Sequence, residues 1–273
     1  MNKSIHILVI DDEQVIIDAI VKICKLEDYS LDSALTIAEA MEKISQNNYE
    51  IILCDIMMPD GDGFQILEQI QSKSINTLVI MMTGYSTVEN AVNSLYNGAV
   101  DFIPKPFTVD ELLSSLFRAR RIKQLKEKRK QILSNTENIE ICFVDCPAKY
   151  YRLGCSSWLV EERDGSVLVG VCDIFLKAIE SVVEIDLLMP EDELIQGISC
   201  ITIKSENDRI HKVLSAISGR VIEVNEKLKI NPKLIEKDPY FEGWVYRVIP
   251  ADIGYELKKI VPCSSDRNNI GVV

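Results

Sequence analysis

The chain has 273 residues, of which 47% are apolar, and a formal net charge of −12. This length accommodates two domains of ordinary size, and the acidic balance disfavours a general polyanion-binding protein. No apolar run approaches the roughly 20 residues that span a bilayer, and the N-terminal stretch MNKSIHILVIDDE has no secretory-signal pattern. We therefore expect a cytoplasmic protein with no membrane partner, whose eight cysteines are reduced thiols.

Strand and helix patterns alternate along the first half of the chain. Strand patterns occupy five segments: apolar runs at 5–10, 51–54 and 77–82, a short stretch at 101–104 and a weaker candidate at 29–34. Helix-period stripes lie between them, and capping boxes open three of the helices: Thr36/Glu39, Ser86/Glu89 and Thr108/Glu111. The alternation predicts an α/β fold with a doubly wound, five-stranded parallel sheet.

Polar side chains stand at the carboxyl ends of four predicted strands: Asp11 with Asp12, then Asp55, Thr83 and Lys105. A parallel sheet brings these ends to one edge, where open α/β sheets bind their ligands. Clustered carboxylates suit Mg²⁺, and a nearby hydroxyl and ammonium can hold the oxygens of a phosphoryl group. The alternative, that each is an unrelated solvated loop residue, would have to hold at four strand ends at once. The pattern favours a site at which a phosphoryl group is transferred to Asp55 with the help of Mg²⁺.

Three stretches, IHILVIDDE, LCDIMMPDGDGF and VIMMTGYSTVENAVNSLYNGAVDFIPKPF, together resemble the receiver domain of two-component response regulators. The resemblance covers residues 5 to about 120 and implies a flavodoxin-like fold. It implies that Asp55 is the phospho-acceptor and that the family's other functional positions fall on matching residues. These are Asp11, Asp12, Asp55 and the backbone carbonyl of Met57 for the metal, Thr83 and Lys105 for the phosphoryl group, and Thr83 and Phe102 for the switch. Of the acidic pair, Asp12 is the expected direct metal ligand.

The same resemblance implies the partners. A sensor histidine kinase or a phosphotransfer protein would supply the phosphoryl group, and receivers would associate with one another. We expect the switch to alter the surface that carries residues 86–98 and 108–121 and so to favour this pairing. The receiver would assist only its own phosphorylation and dephosphorylation, so we do not expect an enzyme with a separate substrate.

A basic stretch follows the predicted receiver. Residues 118–130 carry eight Arg and Lys side chains against one acid, Glu127. A helical connector accounts for this pattern, and Ile122, Leu125 and Ile132 leave a short coiled coil possible. A DNA-binding regulator that acts through the basic stretch is a further alternative, although we do not expect a nucleic-acid partner.

Beyond residue 139, short apolar alternations separated by turn residues predict a mainly β domain, with a hairpin turn at 163–166 and short helices near 172–179 and 231–236. The stretch SAISGRVIEVNEKLKINPKLIEKDPYFEGWVYRVIP resembles the H protein of the glycine cleavage system, a relative of lipoyl domains. The resemblance covers about residues 150–255 and implies a flattened β-barrel or sandwich.

The resemblance places the lipoyl-bearing lysine on the hairpin IKSENDRIHK, at Asn207 or Asp208. Neither residue offers an amine, and Lys204 and Lys212 lie three or four residues from the tip. We therefore expect a non-lipoylated domain that binds an unidentified protein partner. The rival hypothesis is a lipoyl-type carrier under phosphorylation control. His211 is predicted to be a surface residue near the hairpin.

Cys142, Cys146 and Cys155 have a C-x3-C-x8-C spacing without the CxxC pairs or the histidine that mark zinc sites. Reduced thiols in or near a β core are the simpler interpretation, and a metal site stays open. These patterns together predict four segments: a receiver at 1–122, a helical linker at 123–140, an H-protein-like domain at 141–262 and a flexible tail at 263–273.

Overall fold

The computed structural model describes residues 5–27, 29–84, 87–134 and 142–270. The chain divides into two compact units, one formed by residues 1–86 with 97–120 and the other by residues 87–96 with 121–273. Ser86, the predicted cap of one helix, and residues 135–140, where the predicted linker ends, lie outside the described residues.

A five-stranded parallel sheet organises the first unit, with strand order β2-β1-β3-β6-β7. The elements up to residue 134 are β1 (Ile5–Ile10), α1 (Gln14–Cys24), β2 (Tyr29–Ala34), α2 (Ile37–Gln46), β3 (Ile51–Asp55), β4 (Met57–Met58), β5 (Gly61–Asp62), α3 (Phe64–Ser72), β6 (Leu78–Thr83), α4 (Val88–Tyr96), β7 (Asp101–Pro104) and α5 (Val109–Ser134). The predicted doubly wound α/β fold is confirmed, because the strand order reverses at β1 and its neighbours pair in parallel. Of the predicted strands, the fourth begins one residue later than the pattern suggests.

The central strand β3 is apolar throughout because helices cover both faces of the sheet. All five of its residues are buried. Side chains alternate between the two faces of a strand, and Leu8, Ile52 and Cys54 pack in one cluster with residues of α2 and α3. The neighbouring positions Ile7 and Leu53, which are fully buried, point to the opposite face.

Two predicted capping boxes are present in the structure. The Thr36 hydroxyl accepts a hydrogen bond from the Glu39 backbone N–H at 3.1 Å. The Thr108 hydroxyl accepts from the Glu111 N–H at 3.2 Å, and the Glu111 carboxylate accepts from the Thr108 N–H at 2.9 Å. At the described start of α4, the Thr87 hydroxyl accepts from the N–H three residues later at 3.2 Å. Side-chain chemistry in the sequence therefore predicts the starts of α2 and α5.

The second unit is mainly β. It has a seven-stranded sheet of order β12-β15-β16-β10-β9-β8-β17 and a three-stranded sheet of order β11-β13-β14. Its later elements are β8 (Tyr151–Leu153), β9 (Ser157–Glu161), β10 (Val167–Val171), α6 (Asp173–Ala178), β11 (Val182–Leu187), β12 (Glu193–Leu194), β13 (Ser199–Ser205), β14 (Ile210–Leu214), β15 (Gly219–Val224), α7 (Glu226–Ile230), α8 (Leu234–Lys237), β16 (Tyr246–Pro250), α9 (Ile253–Glu256), β17 (Val261–Pro262) and a 3-10 helix (Cys263–Ile270).

The sheets of this unit agree with the predicted mainly β domain. The predicted turn joins β9 to β10, which pair antiparallel with Val160 opposite Leu168. Trp158 is fully buried, and its indole N–H donates to the carbonyls of Val171 and Pro239, each at 3.1 Å. A buried indole needs such an acceptor, because an unpaired N–H costs free energy in an apolar interior.

Helix α5 continues without interruption through Ser134, so residues 123–134 of the predicted helical linker are helical. The predicted flexible tail differs from the expectation over its described residues. In the predicted tail, Cys263 is buried and Arg152 forms a paired hydrogen bond to the Asp266 carboxylate at 2.9 and 2.7 Å. Within the described ranges, every helix is too short or too polar to cross a membrane.

Candidate functional site

The carboxyl ends of four parallel strands meet at one edge of the first unit's sheet. Backbone hydrogen bonds fix this edge: the Lys105 N–H donates to the Thr83 carbonyl at 2.8 Å, and the Asp11 N–H donates to the Ala34 carbonyl at 3.1 Å. The predicted acidic and basic residues are therefore held by the backbone of the sheet rather than by long loops.

Three carboxylates form a cluster at this edge. Ligand oxygens of Asp11, Asp12 and Asp55 all lie within 4.8 Å of one another. Asp11 is fully buried, Asp55 is 5% exposed, and Asp12 faces solvent. Oxygen donors grouped in this way fit a hard divalent cation such as Mg²⁺, and the exposed Asp12 leaves space for the water ligands that Mg²⁺ retains.

Lys105 places its ammonium between two of these carboxylates. Its Nζ lies 2.6 Å from Asp11 Oδ2 and 2.6 Å from Asp55 Oδ2. Burial alone would lower the pKa of Lys105, but its hydrogen bonds to the two carboxylates outweigh burial, and the pKa is raised. Burial raises the pKa of Asp11 even though Lys105 acts in the opposite direction. Three carboxylates against one ammonium leave an excess of negative charge, which a cation would balance.

The remaining predicted site residues are Met57, Thr83 and Phe102. The Met57 N–H donates to Asp55 Oδ1 at 3.2 Å, which orients the Asp55 carboxylate, and the Met57 side chain is 56% exposed. Thr83 is fully buried at the end of β6. Phe102 is half-buried and packs against the apolar cluster that contains Met81. The structure thus brings Asp11, Asp12, Asp55, Thr83 and Lys105 to one edge, whereas Phe102 lies within β7 opposite Met81. Ligation by the Met57 carbonyl stays a prediction.

Gly63 is a sterically restricted position beside the site that the sequence analysis did not assign. A Cβ on Gly63 would lie 2.0 Å from the backbone carbonyl oxygen of Asp55 and 3.0 Å from the Cys54 sulfur. The Gly63 N–H also donates to the Ile56 carbonyl at 2.8 Å. Helix α3 can therefore start against the end of β3 only because this residue has no side chain. The sequence signal for this glycine is the PDGDG stretch that follows β3.

The hairpin between β13 and β14 lies in the second unit. Asp208 occupies the turn with φ +61°, and its carboxylate lies 2.8 Å from the Lys204 ammonium. The surface position predicted for His211 is wrong: His211 is fully buried, with Nε2 3.2 Å from the Ser205 hydroxyl. The reason is register, because His211 pairs with the buried Ile203 on β13.

The cysteines do not form a second compact ligand group. All eight lie among the described residues as thiols, and Cys146 is buried while Cys142 and Cys155 are half-buried. In the described part of the chain, Asp11, Asp12 and Asp55 are the one group of three or more possible metal ligands whose ligand atoms all lie within 4.8 Å of one another.

Comparison with known families agrees with both halves of the structure. Residues 7–117 match the family described as response regulator receiver domain, and residues 149–263 match the family described as glycine cleavage H-protein. The chain carries a receiver domain and an H-protein domain. Both sequence-based resemblances are confirmed, and the receiver domain contains the whole acidic cluster with Lys105.

Individual relatives cover different parts of the chain. The swarming motility regulation protein RssB of Serratia marcescens is 31% identical over 140 residues, which are 51% of this chain and 61% of that protein. The transcriptional regulatory protein DltR of Streptococcus agalactiae serotype III (strain NEM316) is 26% identical over 221 residues, 79% of this chain and 89% of that protein. A solved glycine cleavage system H protein from Mycobacterium marinum is 24% identical with a TM-score of 0.40, covering 46% of this chain and 98% of that one.

Proposed function

We propose that the protein is a two-component response regulator that accepts a phosphoryl group on Asp55 from a sensor histidine kinase or a phosphotransfer protein. One observation carries the proposal. The Lys105 ammonium lies 2.6 Å from a carboxylate oxygen of Asp55 and 2.6 Å from one of Asp11, at the edge where the buried Thr83 ends its strand. A nucleophilic carboxylate, a cation and a hydroxyl are thus held together by the sheet.

Asp11, Asp12 and Asp55, with the Met57 carbonyl, would hold Mg²⁺, which when bound neutralises the charge that develops on the phosphoryl oxygens. A carboxylate oxygen of Asp55 attacks the phosphorus of the donor. The bond between phosphorus and the donor histidine nitrogen breaks, and the nitrogen keeps the electron pair. The Met57 N–H, at 3.2 Å from Asp55 Oδ1, keeps the carboxylate in the orientation for attack.

Lys105 and Thr83 then bind the group that has arrived. The Lys105 ammonium moves from the carboxylate of Asp55 to a phosphoryl oxygen and keeps its contact with Asp11. The Thr83 hydroxyl donates to a second phosphoryl oxygen, and Phe102 turns into the space that Thr83 leaves. Such a packing change has two discrete arrangements, and it transmits a local charge to the surface of residues 86–98 and 108–121.

Pairing of two receivers through that surface is the expected consequence, and it brings two H-protein domains together. The H-protein domain then acts as a protein-interaction module without lipoate. Two observations on its hairpin support this role. Asp208 at the turn has no amine, and the ammonium of the hairpin residue Lys204 is engaged by Asp208 at 2.8 Å. The receiver assists only its own phosphorylation and dephosphorylation.

Phosphorylation is tested with acetyl phosphate and Mg²⁺, followed by the intact mass of the full chain. Wild type should gain one phosphoryl group, Asp55→Asn none, and removal of Mg²⁺ by a chelator should abolish the gain. Asp62→Asn is the matched control, because Asp62 is another carboxylate, on β5, close along the chain. Its Oδ1 accepts from the Phe64 N–H, and an asparagine oxygen can accept that bond instead. Equal phosphorylation of wild type and Asp55→Asn would contradict the proposal.

Lipoylation is tested by co-expression with a lipoate ligase and mass spectrometry. We expect no adduct on wild type, while Asp208→Lys, which supplies an amine at the turn, is the positive control for access by the ligase. A lipoyl adduct on Lys204 or Lys212 of wild type would restore the carrier hypothesis and remove the proposed role of the H-protein domain.

A further inference from the structure

A short segment ahead of β8 is fastened to two later parts of the second unit. We call residues 142–150 the entry segment, because the chain passes through them on its way into the β sheets. The Val144 N–H donates to an Asp173 carboxylate oxygen at 2.6 Å, and the Val144 carbonyl accepts from the Tyr240 hydroxyl at 3.0 Å. The Tyr150 hydroxyl donates to the Tyr240 carbonyl at 2.8 Å. The entry segment therefore has a fixed place in this unit.

Cys146 of the entry segment and Cys263 come together in this packing. They are 8% and 1% exposed, and both belong to one buried cluster that also contains aromatic side chains. Backbone hydrogen bonds draw their segments together: the Cys263 N–H donates to the Tyr150 carbonyl at 2.9 Å, and the Tyr150 N–H donates to the Pro147 carbonyl at 2.9 Å. The Cys146 and Cys263 thiols also share a side-chain hydrogen bond. The fold thus places two cysteines that are far apart in the chain side by side.

The position of this cysteine pair determines what a bond between its sulfurs would do. A single buried thiol packs as a small apolar residue, but a thiol in contact with a second one can also form a disulfide with it. Such a bond would join the entry segment to the C-terminal 3-10 helix, Cys263–Ile270. Arg152 already holds that helix through its paired hydrogen bond to Asp266. The phosphoryl chemistry proposed above uses neither cysteine.

We propose that Cys146 and Cys263 are a redox modification site, at which a peroxide joins the two thiols in a disulfide that ties the entry segment to the C-terminal 3-10 helix. In the first step one sulfur attacks a peroxide oxygen, the O–O bond breaks, and water leaves while that sulfur becomes a sulfenic acid. The second sulfur then attacks the sulfenic sulfur, and the S–O bond breaks to release a second water. Two thiols are oxidised by two electrons in total, and one hydrogen peroxide is reduced to two waters.

Burial governs both the rate of this oxidation and the lifetime of its product. The thiolate is the form that reacts, and the pKa of the Cys146 thiol is raised, first by its hydrogen bond with Cys263 and then by burial. Oxidation should therefore be slow, and it should be faster at about pH 9 than at about pH 7. The same burial protects the disulfide, because a reducing thiol must reach one of its sulfurs. The pair is suited to record lasting rather than brief oxidation.

Peptide mapping of the full chain after treatment with hydrogen peroxide tests the proposal. The protein is oxidised in its folded state, alkylated in denaturant and digested. Wild type should yield one disulfide-linked peptide that contains Cys146 and Cys263, and Cys146→Ala and Cys263→Ala should each yield none. Cys200→Ala is the matched control and should keep the link, because Cys200 is 6% exposed and lies in a different buried cluster.

Hydrogen exchange tests whether the disulfide ties the entry segment in place. Exchange in residues 142–150 should be roughly tenfold slower in oxidised than in reduced wild type, because a cross-link removes open conformations of the segment. Cys146→Ala treated with the same peroxide should show no such change. Wild type oxidised in urea serves as the control for fold-dependent pairing, and it should give several different disulfides.

The result that would overturn the inference is a folded wild-type chain in which peroxide leaves Cys146 and Cys263 unlinked. A disulfide that maps to Cys172 or to any other partner would overturn it equally. If an alanine variant does not fold, mapping of the folded wild type against the urea control decides the question alone. None of these outcomes bears on phosphorylation of Asp55, which the intact-mass experiment tests separately.

Discussion

Lys105 is the residue on which the electrostatics of the receiver site depend. Its side chain is 9% exposed, and it lies between two carboxylates that are 0% and 7% exposed. Replacing it by methionine keeps the apolar stem and removes the ammonium, so two buried carboxylates then repel one another. We expect Lys105→Met to lower the free energy of unfolding by about 3 kcal/mol without Mg²⁺. Urea unfolding in a chelator measures this loss.

Mg²⁺ should restore part of the stability that Lys105→Met loses, because a cation at the cluster replaces the missing charge. Lys204→Met is the control, since it breaks a pair that is open to solvent and should leave the urea midpoint unchanged with or without Mg²⁺. An Lys105→Met variant as stable as wild type in the chelator would show that the two carboxylates do not need the ammonium.

Asp173 allows a test of pH dependence in the second unit. It is 2% exposed, and its carboxylate accepts from the Val144 N–H at 2.6 Å. Burial raises its pKa, and the Val144 bond and Lys177 oppose this without cancelling it. Because the pKa of Asp173 is higher in the folded protein than its unfolded value of 3.8, its contribution to the free energy of unfolding is fully present below pH 3.8. That contribution is lost as the pH rises through the folded pKa.

Wild type should therefore lose stability relative to Asp173→Asn as the pH rises from about 4 to about 7, because the amide does not ionise. Asparagine still offers an oxygen to the Val144 N–H, so the hydrogen bond is retained. The free energy of unfolding of both proteins, measured in urea at several pH values, gives the difference. A difference that does not change with pH, or that changes in favour of wild type, would contradict the assigned cause.

At the scale of elements, the start of α2 depends on one hydroxyl. Thr36 accepts from the Glu39 N–H at 3.1 Å, and the Glu39 carboxylate accepts from the Leu35 N–H at 3.0 Å. Thr36→Ala should cost about 1 kcal/mol in the free energy of unfolding, with phosphorylation of Asp55 unchanged. Ser45→Ala removes a hydroxyl from the other end of α2 and should have a much smaller effect. Equal losses in the two variants would mean that the cap adds nothing.

Local signals account for the elements that could be predicted from the sequence. An apolar run predicted the limits of β1, and capping residues predicted the starts of α2 and α5. Helix α7 was missed, because a five-residue helix is too short to display a period. Strand ends likewise located the receiver site, since each functional residue follows a buried run.

Non-local geometry explains what the sequence could not supply. The burial of His211 follows from its pairing with Ile203 across a hairpin, and one residue of slippage would reverse it. The role of Gly63 depends on how near α3 comes to the carbonyl of Asp55. The place of α4 in the second unit could not be predicted, because its apolar stripe is the same whichever surface covers it.

For the whole molecule, the net charge of −12 opposes the proposed pairing. Phosphorylation adds further negative charge to each copy. Raising the ionic strength from about 0.01 M to about 0.15 M shortens the Debye length from about 30 Å to about 8 Å, so repulsion between copies falls. We expect the association constant in beryllofluoride to rise with salt, as measured by sedimentation. An association constant that falls with salt would instead indicate pairing through opposite charges.

The contribution of α4 to the second unit also affects how this protein can be divided or recombined. The unit is formed from two separated stretches, 87–96 and 121–273, so no single cut releases it whole. A fragment that begins at residue 121 leaves Leu153 and Leu194 without part of their cover, and it should be prone to aggregate. A chimera that exchanges the receiver must bring a fourth helix that fits Gly154 and Gly197. In this protein the boundary between the two family matches and the boundary between the two folded units run through different residues.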